Sequence, residues 1–169
     1  MLDASVSRRT EAIVEPTTLR VERGERVERT CEEPRSAQAL AMMAAALLRP
    51  TGGSVLIGEY DPRVQPVHCK RIAGFVPHDP LPLTDDGAER FIAYRAALWS
   101  IDAHAARERA RSLLERLGGM HEAFAYPIVA ALLPSPQLLV LDRPQRGDLD
   151  RIVHVAQPAA VFAVLASAR

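Results

Sequence analysis

Two apolar runs in the last third of the chain set its fold class. Leu138 to Leu141 is continuously apolar and ends at Asp142, and Val161 to Leu165 repeats the pattern. Unbroken runs of this length predict strands covered on both faces, the arrangement found in parallel sheets. Between them, residues from about Leu149 to Ala156 predict a short helix. Upstream, Ile72 to Val76 predicts a third buried strand, closed by Pro77.

Helical spacing dominates the middle of the chain. Ala88 to Trp99 and His104 to Leu117 predict two helices. The second places Ala106, Ala110, Leu113, Leu114 and Leu117 on one face and its arginines on the other, either as a solvated face or as a site for an acidic partner. Gly118-Gly119 reads as a helix stop.

The N-terminal third predicts short strands at Ala12 to Val14, Leu19 to Glu22 and Glu25 to Glu28, with a turn at Arg23-Gly24. An alanine-rich helix follows, capped by Ser36, running to about Leu48 and stopped by Pro50. Gly52-Gly53 turns the chain into a strand from Ser54 to Ile57. Strands alternating with helices predict an α/β fold.

Composition narrows the function classes. The 169 residues are 48% hydrophobic, enough for the core of one domain, and 21 basic residues balance 21 acidic ones. A net charge of +0 offers no global field for nucleic acid or an anionic membrane. Cys31 and Cys69 lack metal-ligand spacing, no secretory or twin-arginine pattern follows Arg8-Arg9, and the longest apolar run, Ala39 to Leu48, is too short to span a bilayer. The expectation is a soluble cytoplasmic protein with reduced thiols. Lys70 is its single lysine.

Four segments now line up in one order. "LRVERGERV" (Leu19 to Val27), "LLRPTGGSVLIGEYDP" (Leu47 to Pro62), "RIAGFVPHDPLPLT" (Arg71 to Thr84) and "ALLPSPQLLVLDRPQRGDLD" (Ala131 to Asp150) resemble successive parts of ATP-binding cassette (ABC) transporter ATPases, most closely the exporter type. The resemblance implies a P-loop NTPase-like cassette fold with a mostly parallel central sheet and an N-terminal antiparallel β portion. It also implies one degenerate domain over residues 1–169, with a reduced helical subdomain at about 85–130.

The family's chemistry is where the likeness fails. A phosphate loop needs glycines that turn backbone N–H groups toward the phosphates, a lysine, and a Ser/Thr for Mg²⁺. That loop falls on Cys31 to Gln38, with Ser36 at its end, Ala37 at the lysine position and Gln38 at the Ser/Thr position. Glu32 and Glu33 add negative charge where phosphates would sit. Asp142 stands at the family's Mg²⁺-binding aspartate, either as a weak metal ligand or as a strand-end residue capping a loop. Arg143 replaces the glutamate that polarises water, and a guanidinium cannot accept a proton there. His78 takes the Q-loop glutamine position, the signature serine and glycines are missing between Leu117 and Ala131, and Ala168 stands at the switch histidine.

The expected function is therefore protein binding without hydrolysis and without a cofactor: a pseudo-ATPase that is a partner of an ABC permease or of an active cassette subunit, or a regulator of one. It would reach a membrane only through that permease and would not bind nucleic acid. The alternatives are a divergent ATPase using Mg-ATP, or a decayed remnant. Glu89, Phe91, Tyr94 and Trp99 lie where family members meet their membrane subunits, with core packing the competing role for the aromatics. Asp148 and Asp150 fall in a D-loop-like "GDLD" that would touch a paired cassette, Asp148 serving equally well as a helix cap.

Overall fold

A computed structural model describes residues 1–8, 11–79 and 87–167. Strands β1 (Leu2–Arg8), β2 (Glu11–Thr17), β3 (Arg26–Cys31), β4 (Gly52–Ser54), β5 (Ala73–Val76), β6 (Leu138–Asp142) and β7 (Ala160–Ala166) form two sheets. The first is antiparallel in the order β2-β1-β4, and the second is parallel in the order β3-β7-β6-β5. Helices α1 (Pro34–Ala44), α2 (Pro66–Ile72), α3 (Gly87–Leu98), α4 (Ala103–Arg116), α5 (Glu122–Leu132) and α6 (Leu149–Ala156) complete the fold. This is a mixed α/β architecture with a parallel central sheet and an N-terminal antiparallel portion, as the sequence resemblance implies.

The parallel sheet is covered on both faces, and residue alternation along its central strands divides the core in two. Leu139, Leu141, Val161 and Ala163 point toward α5 and α6, while Val140, Phe162 and Val164 point toward α1 and the antiparallel sheet. Phe162 is among the most deeply buried large side chains, and burial of such a ring contributes on the order of 2–3 kcal/mol. Gly74 lets α5 lie tight on β5, since a Cβ there would stand 2.8 Å from the Ala131 carbonyl oxygen.

The late elements match the sequence expectations closely, and the early ones need correction. Leu19 to Glu22 forms no strand: Leu19 exchanges backbone bonds with Met1, but β1 already has β2 on one edge and β4 on the other. The strand expected over Ser54 to Ile57 shrinks to Gly52–Ser54, after which Val55 and Ile57 turn inward and are buried. β1, α2 and α5 are additions. Ile72 ends α2 instead of opening β5.

Helix α1 also differs at both ends. Glu33, not Ser36, holds the N-cap position, and no side chain caps the helix. It stops at Ala44 well before Pro50, because Ala46 adopts a φ of 58° and the N–H groups of Ala46 and Leu47 return to the carbonyls of Met43 and Met42. That is a Schellman ending with alanine at the usual glycine position. The expected stop at Gly118-Gly119 is present, with Gly119 at φ 82°.

Candidate functional site

All four strands of the parallel sheet end at the same edge, at Cys31, Ala166, Asp142 and Val76, the edge at which open α/β sheets place their ligands. A cleft of about 330 Å³ opens there, lined by Pro34, His78, Arg143, Pro144, Arg146, Leu165 and Ala166. A second cavity of about 140 Å³ lies beside it under Asp142 and Arg143, against Phe124 and Ile128 of α5. That second volume is below the roughly 300–1,000 Å³ usual for small-molecule sites.

Asp142 is 2% exposed, at the end of β6. The side chain of the next residue closes on it: Arg143 Nε donates to one carboxylate oxygen at 2.8 Å and a terminal nitrogen donates to the other at 3.2 Å. Arg143 makes this contact from a left-handed backbone conformation, φ 48°, with its own N–H bonded to the Val164 carbonyl at 2.7 Å. The hydrogen bond to Asp142 pushes the guanidinium pKa further up, with the charges of Asp142 and Asp79 adding to it. His78 is exposed, and its Nδ1 donates to the Arg143 carbonyl oxygen at 2.9 Å. Asp142, Arg143 and His78, which the sequence resemblance singles out, thus form one connected group.

The phosphate-loop positions do not join it. Only Glu32 and Glu33 separate β3 from α1, so the helix begins where a loop would be needed. Pro34 has no N–H, and the Ala37 N–H is bonded to the Glu33 carbonyl at 3.0 Å. Ala37 itself is fully buried in the core with Leu40 and Met43, Ser36 is half-buried in the first turn, and Gln38 is exposed; none of the three lines the cleft. Cys31 stands at the loop's first glycine position, where burial pushes its thiol pKa up. Among the described residues no three His, Cys, Asp or Glu side chains gather as a metal site. The donor set therefore does not fit Mg-ATP: both Asp142 oxygens face Arg143, and the backbone cradle has become a helix turn.

The remaining candidates are spread over other surfaces. Glu89 is exposed in the first turn of α3, Tyr94 is 62% exposed, Phe91 is half-buried against the core, and Trp99 lies in the turn after α3 with its ring N–H buried and unbonded. Asp148 holds the N-cap position of α6 without a cap bond and pairs instead with Arg151 at 3.8 Å. The Asp150 carboxylate pairs with Arg26 of β3. Between α4 and β6, where the signature segment is absent, His121 caps α5 through the Ala123 N–H. Ala168 lies outside the described residues.

Sequence reasoning treated Asp142 and Arg143 separately and missed their contact. The available signal was the adjacency of an acid and a guanidinium at a strand end, where a left-handed residue can fold back on its neighbour.

No known family's sequence pattern matches the chain, and no curated protein sequence matches it. Solved structures do. An ATP-binding subunit of an ABC transporter superposes with a TM-score of 0.77 at 19% identity, over 98% of this chain and 78% of that one. The cbiO1 protein of Clostridium perfringens, described as part of the ABC transporter complex cbiONQ, gives 0.76 at 16% over 99% and 77%. A putative ABC transporter ATP-binding protein from Pyrococcus furiosus gives 0.75 at 14% over 99% and 90%. Likeness at such identities reports the backbone alone, and on that ground the chain has the fold of an ABC transporter ATP-binding subunit.

Proposed function

We propose that this chain is a non-hydrolysing cassette subunit that acts by binding protein, either an ABC permease or an active cassette partner. The observation that carries the reading is the Asp142–Arg143 contact. A guanidinium sits on the carboxylate that would hold the metal, supplied by the residue that would otherwise polarise water. Phosphoryl transfer depends on positioned cations and phosphate-binding N–H groups, and loss of single such groups costs orders of magnitude in rate. Here the cradle, the lysine and the carboxylate that polarises water are replaced together.

Tyr94 and Leu98, one helical turn apart on α3, are 62% and 54% exposed, with Glu89 exposed at the same helix's start. An amphipathic surface of this kind suits a permease loop. One structural neighbour is described as part of a transporter complex, which supports a partner of that class. No helix among the described residues is long and apolar enough to cross a membrane, so attachment would run through the permease, from the cytoplasmic side.

Titration of the purified chain with Mg-ATP tests the reading. The expected result is no saturable binding below millimolar nucleotide and no phosphate release. Micromolar affinity, or hydrolysis abolished in Asp142→Ala, would establish the divergent ATPase instead. Affinity purification from detergent-solubilised membranes should recover a permease or cassette subunit and lose it in Tyr94→Ala/Leu98→Ala. A folded chain that recovers neither would overturn the binding role.

A further inference from the structure

At the other edge of the parallel sheet, where β6 and β7 begin, a cleft of about 410 Å³ opens between α4, the α5–β6 connection and the end of α6. Its polar lining includes Arg23, Arg109, Ser112, Arg116, Ser135 and Gln137. Its floor is apolar, built from Leu113, Leu132 and Val155. No aspartate or glutamate lines it.

The arginines are placed by the fold. Arg109, Ser112 and Arg116 are spaced by three and four along α4 and so share one face of it. Arg109 donates to the Leu132 carbonyl at 3.1 Å and Arg116 to the His154 carbonyl at 3.2 Å. A carbonyl partner fixes the direction of a guanidinium without cancelling its charge, and leaves its remaining N–H donors available. Neither residue, nor Arg23, belongs to an ion pair among the described residues. The neighbouring carboxylates are engaged elsewhere: Glu108 with Arg111, Glu22 with Arg20, and Glu25 with the Glu22 N–H. Glu115 lies on α4 outside the lining.

Three uncompensated guanidiniums around a concave, partly apolar surface match a ligand of two or three negative charges whose oxygens accept forked N–H pairs. We propose that this cleft binds a small organic phosphate, a phosphate ester or diphosphate, with the phosphate oxygens on Arg109, Arg116 and Ser112 and the carbon skeleton on the floor. The site is separate from the Asp142 edge and does not depend on what that edge does.

Calorimetric titration of the full chain with inorganic pyrophosphate at constant ionic strength tests this, with citrate as a carboxylate of similar charge. Saturable pyrophosphate binding is expected, at least tenfold tighter than citrate. Ser112→Glu and the pair Arg109→Gln/Arg116→Gln should each weaken it at least tenfold, with helical circular dichroism retained as the check of folding. Arg107→Gln, which removes one exposed charge from α4 outside the cleft and leaves the Glu108–Arg111 pair intact, should leave it unchanged. Absence of pyrophosphate binding, equal affinity for citrate, retention in Ser112→Glu, or equal loss in Arg107→Gln would each overturn the proposal.

Discussion

Asp142 and Arg143, consecutive in sequence, form a two-point ion pair in which the carboxylate side chain is 1% exposed and the guanidinium 17% exposed. Arg143 is the sole side-chain hydrogen-bond partner of Asp142 among the described residues. Removing one member of such a pair strands the other's charge away from water, which is far costlier than losing the pair's net attraction.

Arg143→Ala should therefore destabilise the chain by about 3 kcal/mol, measured by urea denaturation at neutral pH. The double variant Asp142→Ala/Arg143→Ala should be more stable than Arg143→Ala alone, because no unpaired carboxylate remains. If the double variant is the less stable of the two, the carboxylate has another source of stabilisation and the pair is not what holds it.

The replacement at the phosphate-loop lysine is built into the packing. Ala37 is 0% exposed, and its N–H belongs to the first turn of α1. Ala37→Lys should thus fail to create a nucleotide site and should lower stability by about 2 kcal/mol or more, since a longer chain is forced into a filled core. Thermal denaturation with and without Mg-ATP reads both effects. A stable variant with a nucleotide-dependent rise in Tm would show that the cradle can be rebuilt by one residue.

These two positions also show what the sequence could and could not disclose. β6, β7, α4 and α6 were legible because each carries one strong period: a continuous apolar run for the covered strands, a 3.6-residue stripe for the helices. α5 was not, because Pro127 interrupts it and the residues Glu122 to Leu132 are apolar nearly all round, which leaves no stripe to read. β1 does alternate, with Leu2, Ala4 and Val6 against Asp3, Ser5 and Ser7, and Ala4 and Val6 are buried; the signal is faint because the segment is short and Ala and Asp carry little strand preference. The candidate site was legible as a set of substitutions at known positions. Its geometry was not, since neither the closure of Arg143 on Asp142 nor the burial of Ala37 follows from residue type. The arginine cleft was visible only as a charged helix face, because Arg23 and Gln137 reach it from distant parts of the chain.

Asp102 provides a pH-dependent contribution of known sign. Its carboxylate accepts the Ala105 N–H at the start of α4 at 2.9 Å, and this bond, with smaller help from the His104 side of the turn, holds its pKa below the ordinary value of 3.8. A depressed folded-state pKa stabilises the fold above the unfolded value and loses that effect as pH falls through the folded one. Asp102→Ala should lower Tm at pH 7, and the difference from the unaltered chain should shrink as pH is taken from about 4 downward, where the carboxylate becomes protonated. A gap that stays constant down to pH 2 would mean that the carboxylate's charge and its bond to Ala105 are not the source of the effect.

Gly53 joins the two halves of the antiparallel sheet through a constraint that only glycine meets. Its φ is 68°, and a Cβ built on it would lie 2.1 Å from the Asp3 carbonyl oxygen, a backbone atom of β1 that cannot swing aside as a side chain would. The position therefore combines a left-handed conformation, costing roughly 1–2 kcal/mol for other residues, with a collision that requires β1 and β4 to separate. Because β4 is held to β1 by pairing at only two registers, Leu2 with Ser54 and Ser5 with Gly52, little hydrogen bonding opposes that separation. Gly53→Ala should accordingly free β4 before it unfolds the parallel sheet. Amide exchange is expected to speed up at Ser54 and along β1 while β6 and β7 stay protected, with a lowered Tm. Unchanged exchange at Ser54 would show that the turn tolerates a side chain, and that the junction rests on the burial of Val55 and Ile57 instead of on Gly53.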